Sequence, residues 1–268
     1  MANVKADSAH TYEMVLKGAM SIPGVKIDRG TFLFSELKKY CTLNVVNAAI
    51  ENNPAYAGID SKVIDKIAAS AITFETNKVS AISFAAGLPG GIAMAGTLPA
   101  DMTQYFAHIL RILQKLAYLY GWDDFFDTNG QLDSETINLV TLFIGVMFGV
   151  QEAGTALVKI SLTLAPTLCK KIAAKPLTKG FIYPIVKKVA AMIGAKMTKD
   201  IFAKSVSKVI PIIGGVASGG LTYATYRPMA NKLKNYLSSL EVANPKYYAA
   251  CKKEAVDVDF HDMSSEEE

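Results

Sequence analysis

The sequence predicts an all-α fold, a compact multi-helix bundle with glycine-rich apolar helical hairpins, on three observations. No long segment alternates apolar and polar residues between hairpin turns, and the many Val and Ile residues sit among Ala, Leu, Lys and Met. Apolar residues recur instead at helical spacing, as at Val63, Ile64, Ile67 and Ala68. The 268 residues are 51% hydrophobic and 19% charged, with a mean hydropathy of +0.24, which excludes disorder and gives a chain greasier than an average soluble domain.

In chain order, Glu13–Ser21, Thr31–Tyr40 and Leu43–Ile50 read as short amphipathic helices, the first two parted by Pro23-Gly24. Asp60 or Ser61 can cap a helix over Lys62–Ile72. Val79–Ala100 carries no charge and is long enough to span a bilayer. Gly87, Pro89, Gly90, Gly91, Gly96 and Pro99 interrupt it, so the prediction is a broken helical hairpin bent at 88–91. Asp101–Tyr120 is the clearest helix, with Pro99 near its start and Gly121 just past its end. An acidic linker over 123–135 leads to an uncharged helix, Thr136–Gln151, and further helical runs reach Cys169. Val209–Tyr226 is again uncharged, and Pro211 favours a helix start there. Asn231–Leu240 reads as the last helix. The expected division is a flexible 1–11, a helical domain over 12–242 and a disordered acidic tail over 243–268.

The net charge of +4 conceals an asymmetry. Residues 255–268 hold six carboxylates and no Lys or Arg, which leaves the rest of the chain at +10. Nearly all of that is lysine; Arg29, Arg111 and Arg227 are the only arginines. Base reading favours arginine, while diffuse attraction to an anionic surface is served by lysine, so membrane lipid or a membrane protein is the expected partner and nucleic acid is not. Residues 170–208 concentrate ten lysines, among them Lys187, Lys188, Lys196, Lys199, Lys204 and Lys208, around the single acid Asp200. Interleaved with Ile, Val, Met and Phe, they suit an anionic leaflet. A polar N-terminus and three cysteines too few and far apart for a disulfide scaffold predict a reducing, cytoplasmic setting.

One constellation could carry chemistry. Asp101, Gln104, His108, Arg111 and Lys115 fall at spacings of three and four residues, so a helix aligns them in one polar stripe on an otherwise apolar surface. As a pocket, the stripe would use Asp101 and His108 for acid–base work and Arg111 to hold an anion. As architecture, Arg111 would pair with an acidic residue elsewhere. No metal is expected, because Asp101 and His108 lack a third ligand. The 127–133 stretch fails calcium-loop register, with Gly130 fourth rather than sixth. No P-loop or nucleophile motif occurs, and no cofactor is expected. The pairs Gly145/Gly149 and Gly215/Gly219, like Gly87, Gly90 and Gly91, suit close helix packing in lipid or in a soluble core.

Four motifs in order resemble the EcsC protein family. They are Ile27-Asp28-Arg29 with Phe32-Leu33; Ala86-Gly87-Leu88-Pro89-Gly90-Gly91; Pro99-Ala100-Asp101 leading to Leu116-Ala117-Tyr118-Leu119-Tyr120-Gly121; and Ile210-Pro211-Ile212-Ile213-Gly214-Gly215 before a helix with aromatics. The resemblance covers about residues 12–242. It implies a bacterial, helical, membrane-associated protein and brings no catalytic residue or cofactor. The expectation is an accessory protein at the inner face of the cell membrane. A soluble enzyme or ligand-binding protein using the 101–115 stripe, and an oligomeric pore, are the alternatives.

Overall fold

The computed structural model describes residues 2–87, 98–125, 134–170, 179–196 and 211–253, with side-chain surroundings over 9–79, 103–125, 135–169, 182–195 and 223–253. The helices are α1 (Ala2–Met20), α2 (Arg29–Leu37), α3 (Leu43–Glu51), α4 (Ser61–Gly87), α5 (Leu98–Leu119), α6 (Ser134–Met147), α7 (Gln151–Lys170), α8 (Lys179–Lys196) and α9 (Pro211–Leu237). A short 3-10 helix, Glu241–Ala243, and a helical stretch over 245–253 follow. No strand occurs among the described residues. The chain is all-α.

Local chemistry sets the helix ends. Asp28 caps α2 by accepting from the Thr31 amide at 2.7 Å, and Asp60 caps α4 by accepting from the Lys62 amide at 2.8 Å. Gly121 ends α5 at φ +91°, while Trp122 N–H reaches back to the Ala117 carbonyl at 3.0 Å. Gly149 ends α6 in the same way at φ +82°, with Val150 N–H on the Gly145 carbonyl at 2.8 Å. Both are closures that a left-handed glycine permits.

The core is organised around α5, whose residues from Phe106 to Leu110, from Ile112 to Gln114 and from Leu116 onward are buried. α4 lays Ile64, Ile67, Ala68, Ile72 and Val79 inward, and α9 lays Tyr226, Ala230, Leu233 and Leu237 inward, each at helical spacing. α4 runs antiparallel to both α5 and α9. Asp65 on α4 meets Tyr120, just past α5, at 2.6 Å and Lys234 of α9 at 4.0 Å. Ten residues later Glu75 meets Arg111 at 3.3 Å, and Tyr226 donates to the His108 carbonyl at 2.9 Å. As α4 numbering rises, α5 and α9 numbering falls. The end of α4 and the starts of α5 and α9 therefore share one end of the bundle.

α1 closes another side. Tyr12 donates to Thr141 Oγ1 at 3.1 Å and meets Phe106 edge-on, and Gly18 lies against Thr103. Arg29 is a buried tie among three segments. It donates to the carbonyls of Ile50 at 2.6 Å, Asn52 at 2.7 Å and Trp122 at 3.2 Å, taking up acceptors that the ends of α3 and α5 leave open.

Several boundaries differ from expectation. α4 runs to Gly87 rather than Ile72, because no Gly or Pro interrupts the chain before 87 and Thr76 back-bonds to the Ile72 carbonyl. Gly149 divides the predicted 136–151 helix into α6 and α7. The two predicted helices of the 209–240 region are one, α9, passing through Pro228. Proline removes one helical hydrogen bond there, and the buried residues on both sides, Tyr226 and Ala230, hold the axis.

Helix is described on both sides of 12–242. α1 begins at Ala2. Beyond 243, Tyr248 is buried, accepts from Asn53 at 3.1 Å and donates to the Val242 carbonyl at 3.3 Å. Cys169 and Cys251 form a disulfide with Cα atoms 6.5 Å apart, so only Cys41 is free. Sequence distance hid this pairing, and with it goes the cysteine argument for a reducing compartment.

Candidate functional site

The polar stripe of α5 meets a residue that sequence reasoning passed over. Glu75 occupies the next step of the buried α4 face after Ile72, where spacing calls for an apolar side chain, and its carboxylate is fully buried. The visible signal was an acid in register with an apolar stripe. Lys115 Nζ lies 2.7 Å from Glu75 Oε1 and Arg111 Nε lies 3.3 Å from the same oxygen. Arg111 also donates to the Gly24 carbonyl, and Lys115 sits over the rings of Phe74 at 5.2 Å and Phe32 at 5.9 Å.

His108 completes the cluster at 3% exposure. Its Nε2 is 3.4 Å from Gln104 Nε2, and its Nδ1 faces Glu75 Oε2 at 3.7 Å. With the Gln104 amide donating, Nε2 accepts and the ring proton resides on Nδ1, directed at the carboxylate. At 3.7 Å this is an electrostatic contact and not a hydrogen bond, and neither atom has a hydrogen-bond partner among the described residues.

Electrostatics follow from this geometry. Burial pushes the Glu75 carboxyl up, but the facing His108 ring and the Lys115 and Arg111 cations outweigh it and hold the group at about 2. The Tyr226 hydroxyl is raised well above its usual value, by burial first and then by the Glu75 charge. A carboxylate held so low is a poor general base, and the imidazole beside it is sealed from solvent. The cluster joins α4 to α5 by charge, and its two cations are engaged by protein groups.

Against family models, curated proteins and solved structures, the chain matches nothing. Its function has to be read from its own residues.

The stripe divides accordingly. Gln104, His108, Arg111 and Lys115 come together with Glu75, whereas Asp101, on the first turn of α5, lies outside the described side chains. Lys187 and Lys188 are exposed on α8: Lys187 sits 4.6 Å over the Tyr183 ring, and Lys188 pairs with Glu152 of α7. Lys196 ends α8, but its side chain is outside those described. Lys199, Lys204 and Lys208, with Gly90, Gly91 and the 127–133 stretch, lie outside the described residues.

Gly145 is a point of close approach: a Cβ there would stand 2.7 Å from Ala153 Cβ and 3.0 Å from Val189. Gly149 serves the turn described above and is exposed, with Lys232 Nζ of α9 3.0 Å from where a Cβ would stand. Gly87, at the end of α4, and Gly215 and Gly219, early in α9, fall outside the described surroundings. No group of three or more metal-binding side chains is assembled among the described residues.

Residues quoted for the family resemblance have structural tasks here. Asp28 caps α2, Arg29 ties three segments, Leu33 and Leu116 to Tyr120 are core, and Gly121 ends α5.

Proposed function

We propose that the chain is an accessory, non-catalytic protein of EcsC type that binds anionic lipid with one end of its helical bundle. The observation that carries this reading is topological. Antiparallel pairing of α4 with α5 and α9 brings the end of the uncharged stretch begun at Val79, and the uncharged start of α9, to the same end. Past Lys78, α4 continues uncharged for about 14 Å, and before Tyr226 the uncharged start of α9 reaches back about 22 Å. A single leaflet's hydrocarbon is about 15 Å deep.

No helix among the described residues is long and apolar enough to cross a membrane, so the proposed engagement enters one leaflet. Asp101, the charge nearest this end on α5, limits the proposed insertion to the end of α4, residues 98–100 and the start of α9. The lysines of 170–208, including Lys187 and Lys188, supply attraction to anionic headgroups, each worth about 1 kcal/mol near the surface. The proposed location is the inner face of a bacterial cell membrane, and the lysine bias, suited to an anionic leaflet, supports it.

Flotation with vesicles containing anionic lipid tests the reading. Binding at low salt that weakens as salt rises is the expected result. No binding at low salt, together with purification from cytosol without detergent, would sink it.

The cluster around Glu75 favours a second reading, a soluble ligand-binding protein, because Glu75 Oε2 and His108 Nδ1 have no hydrogen-bond partner among the described residues. Its weight is reduced by Arg111 and Lys115, which are committed to Glu75 and Gly24.

A further inference from the structure

A cleft of about 290 Å³ opens between α1, α6 and α8, lined by Glu13, Leu16, Lys17, Met20, Ile137 and Tyr183, with Asn138 at its side. It sits at the small end of ligand pockets, sized for a segment of one chain-like molecule. Leu16 is buried at its floor, Met20 and Ile137 are half-buried, and Tyr183 stands at its mouth at 52% exposure. Gly18, between the lining residues Lys17 and Met20, contacts Thr103 on the first turns of α5. The cleft therefore adjoins the end of the bundle where α4, α5 and α9 present their uncharged segments.

Its rim carries charge of both signs. Glu13 and Lys17 are exposed one helical turn apart, and neither forms an ion pair among the described residues. Lys187 adds a second cation beside the mouth through its position over the Tyr183 ring. A purely anionic headgroup would satisfy the lysines and meet repulsion at Glu13. A headgroup with a phosphate and a primary ammonium satisfies all three charges, the phosphate toward Lys17 and Lys187 and the ammonium on Glu13. The separation needed is about one helical turn, ~5.4 Å.

We infer that this cleft binds one phosphatidylethanolamine molecule, its headgroup across Glu13 and Lys17 and the start of one acyl chain over Leu16, Met20 and Ile137. The inference rests on the lipid-surface reading and adds to it a specific headgroup. Lys187 serves both the bulk anionic surface and this one lipid, whereas Glu13 and the apolar lining of Leu16, Met20 and Ile137 serve the one lipid alone.

Dihexanoyl phosphatidylethanolamine, titrated calorimetrically below its micelle concentration, tests the cleft without any bilayer. Saturable binding of one lipid per chain is expected, weakened at least tenfold in Ile137→Trp, which adds bulk to the apolar lining. Glu13→Gln, at an exposed site that leaves the core intact, is expected to erase the preference for this lipid over dihexanoyl phosphatidylglycerol. The inference is overturned if wild type shows no saturable binding, if it binds phosphatidylglycerol as tightly, or if both variants bind like wild type. Should Ile137→Trp melt early, the Glu13→Gln result decides alone. Vesicle flotation in parallel separates the two failures: flotation with no monomer binding refutes the cleft alone, and loss of flotation refutes the surface reading.

Discussion

Glu75 of α4 and Lys115 of α5 meet at 2.7 Å, with the carboxylate fully buried and the lysine side chain at 12% exposure. Arg111 shares the same oxygen, so one buried acid pairs with two cations drawn from the helix at the centre of the fold. Breaking such a pair leaves charge without a partner in a poorly solvated place, and that cost exceeds what the intact pair contributes.

Acid should therefore loosen the protein through Glu75. Its folded carboxyl titrates at about 2, below an ordinary 4.5. A depressed folded value means the stabilisation is complete above the unfolded value and is lost as pH falls from about 4.5 through 2. Thermal midpoints followed by circular dichroism across that window should drop steeply in wild type. Glu75→Gln should lower stability near neutral pH by roughly 3 kcal/mol and flatten the acid limb. An unchanged acid limb in the variant would contradict the assignment.

Arg29 should resist even a conservative change. Its three carbonyl acceptors, Ile50, Asn52 and Trp122, require the planar fork of a guanidinium. Arg29→Lys should cost about 2–4 kcal/mol in urea denaturation, since at least one buried carbonyl is left without a donor.

Three glycine-to-alanine changes should order themselves by geometry. At Gly121 the new Cβ meets the Val242 carbonyl at 2.6 Å and the backbone is left-handed, so both effects act. At Gly145 it meets Ala153 and Val189, an overpacking worth about 1–3 kcal/mol. Gly24 is left-handed in open space, where only backbone strain of about 1 kcal/mol applies. Melting temperatures should fall most for Gly121→Ala and least for Gly24→Ala.

The disulfide gives a chemical count. Denatured without reductant, the chain should expose one reactive thiol, Cys41, and three after reduction. Cross-linking residues 82 apart constrains the unfolded chain by up to roughly 4 kcal/mol, so Cys251→Ser should melt markedly earlier than wild type. Three thiols without reductant would remove the bond from the account.

Much of the fold was legible because its signals are local. Asp60 announces a helix start, Gly121 announces an end, and helical spacing on α4 and α5 marks their buried faces. What stayed hidden depends on distant partners. The 209–226 stretch and Asn231–Leu240 read as separate helices, and α9 joins them through Pro228 because residues on both sides are packed. Gly149 reads as a packing glycine until Val150 closes on Gly145. Cys169 and Cys251 are unrelated until α7 and the 245–253 helix meet. In the site, the stripe from Gln104 to Lys115 was plain, along with the possibility that Arg111 pairs with an acid. That the acid is Glu75 could be read only as a flaw in an apolar pattern.

The central claim is that the end shared by α4, α5 and α9 enters lipid. Co-flotation with phosphatidylglycerol-rich vesicles, comparing wild type with Ile212→Glu near the start of α9, tests it most directly. A carboxylate there is costly in hydrocarbon, about 2.5–3.5 kcal/mol for an acidic residue at the centre of a membrane helix. The account predicts at least a tenfold loss of vesicle binding with an unchanged helical spectrum and melting temperature. Equal flotation of both folded proteins would contradict it.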